Sequence, residues 1–61
     1  PEAAAADFTR AVELDPNCVP AYLGRADARR RLGDAAAARA DLDRARRAGA
    51  TPAEVAALGR P

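Results

Sequence analysis

Residues 20–49 read PAYLGRADARRRLGDAAAARADLDRARRAG, and this stretch decides the fold. It opens on Pro20, breaks once at Gly33-Asp34 and closes on Gly49. Ala, Arg and Leu dominate between those marks, and all three are strong helix formers. The alternating β-branched pattern of a strand is missing. Pro20 suits a first helical turn, where its absent N–H would have had no helical partner. Gly33 supplies the left-handed residue that ends a helix. Asp34 is placed to cap the next one. A break this short joins antiparallel neighbours. The spacing predicts helices over about 20–32 and 35–48. Tyr22, Leu23, Ala26 and Leu32 share the apolar face of the first, and Ala35, Ala38, Leu42 and Ala45 that of the second.

The same pattern extends outward. Residues 2–14 place Ala4, Phe8, Ala11 and Val12 at helical spacing, with Leu14 beyond. Glu2 and Asp7 lie in the N-terminal half, where negative charge suits the helix dipole. Pro16 disfavours helical geometry at Asp15 and stops this segment. Downstream, Thr51-Pro52-Ala53-Glu54 is a capping box: Thr51 accepts from the amide three residues on, and Glu54 reaches back to the Thr51 amide. It opens a short helix over about 52–58, with Val55 and Leu58 its large apolar residues and Gly59 placed to stop it. The expected architecture is all-α, four helices in successive antiparallel hairpins.

The chain also matches itself. A shift of 34 residues pairs Ala4 with Ala38, Asp7 with Asp41, Arg10 with Arg44 and Ala11 with Ala45, and sets Phe8 against Leu42. A shift of 35 pairs Ala21 with Ala56, Leu23 with Leu58, Gly24 with Gly59 and Arg25 with Arg60. Alanine matches are cheap in a chain with 19 of them, so the Asp, Arg and Gly matches carry the repeat.

A helix–turn–helix period of 34 residues resembles the tetratricopeptide repeat (TPR) family. Ala4, Phe8, Ala11 and Pro16 look like the second helix of one repeat and its closing proline. Tyr22, Ala26, Gly33, Ala38, Leu42 and Ala45 look like a complete repeat after it. The resemblance implies three parts: residues 1–16 as a second helix, 17–50 as one whole repeat, and 51–61 as a following first helix or a capping helix. It further implies a fragment of a right-handed α-solenoid. Arg25 and Arg29 depart from the family, standing where it has a Leu and a large aromatic, and Ala50 replaces a second closing proline. The two arginines could snorkel and pair with acids such as Asp41, or they could face a partner; the residues leave both open. A Sel1-like repeat is the alternative, although its period is longer.

The function this resemblance implies is a non-catalytic scaffold for protein–protein interaction. In the family, first helices line a concave groove that binds extended peptides or helices. That role falls on Pro20, Leu23, Asp27, Arg30 and Arg31. A charge run on a helix is more often a solvated face, and Asp27 with Arg31 makes a favourable i,i+4 pair. Members that bind chaperone tails clamp a carboxylate with Lys, Asn and Arg. Leu23 and Asp27 stand where the first Lys and Asn would be, so such a clamp is not expected. The alternative function is structural, with exposed hairpin ends driving self-association. The remaining partners would then be further repeats or another copy.

Composition sets the limits. The larger apolar residues are three Val, five Leu, one Phe, one Tyr and one Cys, so the core is thin. Chains this small usually need a staple or a neighbour. One Cys cannot form an internal disulfide, and Cys18 has no base to activate it. There is no His, Ser or Lys, which removes Ser–His and Cys–His pairs, Schiff-base chemistry and His-based metal sites. We therefore expect no enzyme site, no metal and no cofactor. Ten Arg against nine acids leave a net charge of +1, without the basic excess of nucleic-acid or membrane-surface domains. The Arg29–Arg31 and Arg46-Arg47 runs are diluted by Asp27, Asp41 and Asp43. No apolar run is long enough to span a membrane and no signal peptide is visible, so the expected compartment is the cytoplasm. Arg and Ala usage without Lys or Ile suggests a GC-rich bacterial genome. The missing initiator Met and the start in mid-pattern read as an excerpt from a longer protein.

Overall fold

The computed structural model describes residues 2–59 and is all helical. Four helices follow in order: α1 (Glu2–Leu14), α2 (Val19–Arg31), α3 (Ala35–Ala48) and α4 (Pro52–Gly59). Arg60, one of the repeat matches, lies outside the described residues, as does the chain beyond Gly59 that would show whether that glycine stops the helix.

Local chemistry accounts for most helix ends. Asp15 turns the chain after α1: its side chain accepts from the Asn17 amide at 3.1 Å and its carbonyl from the Cys18 amide at 3.0 Å. α2 starts at Val19, one residue before Pro20, so the proline still sits in the first turn. α2 and α3 end alike. Gly33 (φ 86°) and Gly49 (φ 116°) take left-handed conformations that a side chain would resist. Each passes its own amide, and the next residue's, back to carbonyls of the last turn: Gly33 to Arg30, Asp34 to Arg29, Gly49 to Arg46, Ala50 to Ala45. This motif pulls Leu32 out of α2, where it is 45% exposed rather than part of the apolar face. Asp34 caps α3 by accepting from Ala37 N at 3.1 Å. The capping box of α4 forms in both directions, Glu54 N to Thr51 Oγ1 at 3.2 Å and Thr51 N to Glu54 Oε1 at 3.0 Å.

α2 is the hub. It packs against α1, α3 and α4, while α3 also touches α4; among the described residues α1 meets neither α3 nor α4. The thinnest dimension is 14 Å, room for two layers of helices. Six of the eight buried apolar residues are alanines: Ala21, Ala26, Ala28, Ala38, Ala45 and Ala50, joined by Val12 and Leu42. Alanine contributes little area, but it lets helix backbones approach closely. Ala4, Phe8, Ala11 and Tyr22 are half-buried rather than enclosed, and Ala35 at the start of α3 is exposed.

A tight contact joins α1 and α2. The Phe8 ring lies directly over Gly24, with Cζ 2.4 Å from where a Cβ would stand. That separation is far inside contact, so Gly24→Ala must displace the ring. Overpacking of this kind costs about 1–3 kcal/mol, here toward the upper end, against about 1 kcal/mol gained in helix propensity. We expect a net loss of stability in thermal denaturation followed by circular dichroism. In a Phe8→Leu background the same substitution is expected to stabilise. Equal effects in both backgrounds would show that the ring does not constrain position 24.

Candidate interaction surface

Helical spacing divides the charges of α2 between opposite faces. Arg25 and Arg29, four residues apart, point into the molecule; Leu23, Asp27, Arg30 and Arg31 lie on the other side. Each face has its own acid, and the two acids play different parts.

The inward acid is Asp41 of α3. Its side chain is the only fully buried large one among the described residues, at 0% exposure. Arg25 grips it as a fork, Nε to Oδ2 at 3.0 Å and Nη2 to Oδ1 at 2.7 Å. Arg29 donates to Oδ2 at 2.9 Å and Arg44 to Oδ1 at 3.0 Å. Arg25 is itself 7% exposed, and its third nitrogen donates to Thr9 Oγ1 of α1 at 3.2 Å. The Thr9 hydroxyl in turn donates to Ala5 O at 2.8 Å. The Arg25 guanidinium also lies 5.7 Å from the Tyr22 ring centroid, within cation–π range. Tyr22 donates its hydroxyl to Pro16 O at 2.8 Å, which holds the α1–α2 turn. No buried side-chain polar atom among the described residues is left without a partner.

Of the two roles the sequence left open for Arg25 and Arg29, the structure shows pairing: both bond to Asp41. What sequence reasoning missed is the rank of Asp41. The signal was present: the Asp7–Asp41 and Arg10–Arg44 matches single it out, and it lies at helical spacing from Ala38 and Ala45 on the apolar stripe.

The outward acid is Asp27. It accepts from Arg30 Nη2 at 2.8 Å and Arg31 Nε at 3.2 Å, so the structure joins three of the four groove candidates into one ionic cluster. The pKa of Asp27 is lowered from 3.8, first by the Arg30 hydrogen bond, with partial desolvation opposing it and the Arg31 charge adding to it. Leu23 is half-buried beside the cluster and Pro20 exposed. Cys18 precedes α2, half-buried and making no cap. Two shallow surface depressions, of about 350 and 190 Å³, lie elsewhere: one along α1, the other between the Pro16 turn and Arg44 and Arg47. Among the described residues no cluster of acids and Cys is placed to hold a metal ion, and no helix is long and apolar enough to cross a membrane.

No protein-family model, curated protein or solved structure matches the chain.

Two predictions follow from the ionic clusters. Asp41→Asn keeps the shape but removes the charge facing three guanidinium groups. Breaking a buried pair costs about 3–5 kcal/mol, as much as a core of this size supplies, about 3–5 kcal/mol. We expect the variant to be largely unfolded at room temperature by circular dichroism. Arg25→Lys, which keeps the charge but loses the fork, should fall between it and wild type. Native-like helicity in Asp41→Asn would exclude the cluster as the main constraint.

The second concerns pH. Asp27 and Glu54 both titrate below their ordinary values of 3.8 and 4.5, Glu54 through hydrogen bonds from the Thr51 amide and hydroxyl. A depressed carboxylate stabilises the fold fully above its unfolded pKa, and that contribution is lost as pH falls through the folded value. Helicity should therefore hold from neutral pH to about 5 and decline below about 4. Asp27→Asn should flatten part of this acid limb. Unchanged acid limbs in both Asp27→Asn and Glu54→Gln would refute the assignment.

Proposed function

We propose that the chain is a non-catalytic protein-interaction scaffold of the TPR type, with the outward face of α2 as its binding surface. The carrying observation is the division of labour on α2. Its inward arginines are consumed by Asp41, whereas Leu23, Pro20 and the Asp27–Arg30–Arg31 cluster form a face that the fold does not use up. The order of packing also supports the reading. α4 lies against both α2 and α3, as a first helix of a following unit would in a stack of helical hairpins.

The face suggests the ligand chemistry. Asp27 neutralises one of its two arginine partners, leaving a net positive charge beside Leu23. An extended peptide with an apolar side chain and a nearby carboxylate fits that combination. The sequence has no His, Ser or Lys, which favours binding over catalysis and calls for no cofactor.

Peptides selected from a display library on the intact chain test this. Leu23→Ala and Arg30→Ala should each weaken the selected peptide by about fivefold or more. Arg39→Ala, exposed on α3, should leave it unchanged. Amide shifts from bound peptide should centre on Leu23, Asp27 and Arg30. Shifts confined to α3, or no peptide selected at all, would overturn the proposal.

A further inference from the structure

The net charge of +1 conceals a segregation of charge. Asp41 meets three guanidinium groups, those of Arg25, Arg29 and Arg44. Asp43 meets two more, those of Arg46 and Arg47. Five arginines thus share two carboxylates on and around α3. Asp15, on the turn after α1, adds a third acid, and one of its oxygens already accepts from the Asn17 amide. Cations still lead there, five to three, while the rest of the chain holds five arginines against six acids. Arg25 is buried and serves the fold, but Arg44, Arg46 and Arg47 are each more than half exposed. The excess positive charge therefore lies at the surface.

A depression of about 190 Å³ opens at that surface, bounded by α2, α3 and the turn joining α1 to α2. α3 contributes Arg44 and Arg47, about one helical turn apart, with Ala48 beside them. Arg44 gives Nη1 to Asp41 and keeps its remaining edge. Arg47 is 81% exposed, and its contact with Asp43 is 3.7 Å, too long for a hydrogen bond. The turn and α2 contribute Pro16, Asn17 and Tyr22. This apolar wall is fixed in place, because the Tyr22 hydroxyl donates to Pro16 O at 2.8 Å. Asn17 adds a carboxamide that can donate.

We infer that this depression binds a phosphate monoester, with its phosphoryl group between Arg44 and Arg47 and its organic part against Pro16 and Tyr22. A phosphoryl group carries about −1.5 to −2 charge near neutral pH and three strong acceptor oxygens. It matches the local excess of positive charge, whereas a carboxylate brings a single charge. The planar fork of arginine suits those oxygens. Size limits the ligand: pockets for drug-sized molecules run to about 300–1,000 Å³, so one small group fits here. The site shares no residue with the outward face of α2, so the two readings stand or fall separately.

Titration of the full 61-residue chain with phenyl phosphate, followed by NMR, tests it. Shifts should saturate and centre on Asn17, Tyr22 and Ala48. Inorganic phosphate, which lacks the ring, should bind about threefold or more weaker. Benzoate, which lacks the second charge, should bind about fivefold or more weaker. Arg47→Gln should lower the affinity for phenyl phosphate by about fivefold or more, with helicity kept because the side chain is exposed. Arg39→Gln removes the same charge from an exposed position on α3 outside the depression and should leave the affinity nearly unchanged. Shifts that do not saturate, equal losses in the two variants, or benzoate or inorganic phosphate binding as tightly as phenyl phosphate would each overturn the inference.

Discussion

A single carboxylate organises this protein. Asp41 is buried without exposure, and one guanidinium, that of Arg25, connects it to α1 and to the turn before α2. The fork holds α3. The remaining nitrogen reaches Thr9 and so holds α1. The plane of the same group meets Tyr22, whose hydroxyl fixes the turn at Pro16. Three helices and one loop thus depend on the placement of one planar cation, and only Arg has the rigid set of donors to serve them together. Arg29 and Arg44 add charge at the edge of the cluster, where solvent weakens their share.

This arrangement suits a chain whose apolar core is mostly alanine. Small residues bring helices close but bury little surface, so nonspecific collapse would leave the register of the helices loosely defined. A buried ion pair is poor evidence of net stability, since desolvation opposes it. It is better at selecting one arrangement, because any slip of α2 against α3 would strand the carboxylate from its fork. The Phe8–Gly24 contact works alongside it on the α1 side, through shape rather than charge. One contact sets how near α1 comes to α2; the other sets which turn of α3 faces it.

The same logic separates the two kinds of charge on α2. Both faces carry arginines near an aspartate. The inward set is enclosed and defines the fold, while the outward set is solvated and contributes little to stability. A surface with low structural demand is free to serve a partner, which is the basis of the proposed scaffold role. On α1, Asp7 aligns with Asp41 under the shift of 34 but is exposed, without the arginines that enclose Asp41.

Much of the helical framework was legible from residue types. α1 and α3 span the residues the periodicity predicts, and the stops at Gly33 and Gly49, the Asp34 cap and the Thr51–Glu54 box are local effects of one or two side chains on nearby backbone. α2 differs by one residue at each end because Pro20 is tolerated anywhere in a first turn and because Gly33 unwinds Leu32. Only the tertiary structure decided which charges are buried. Arg25 and Arg30 look alike in sequence, yet Arg25 is enclosed and Arg30 solvated, while Asp41 is fully enclosed and Asp27 only half-buried. Helical spacing assigns a residue to a face, but it does not say what lies opposite. Burial of a charge depends on partners 16 residues away along the chain, brought together only when the helices pack.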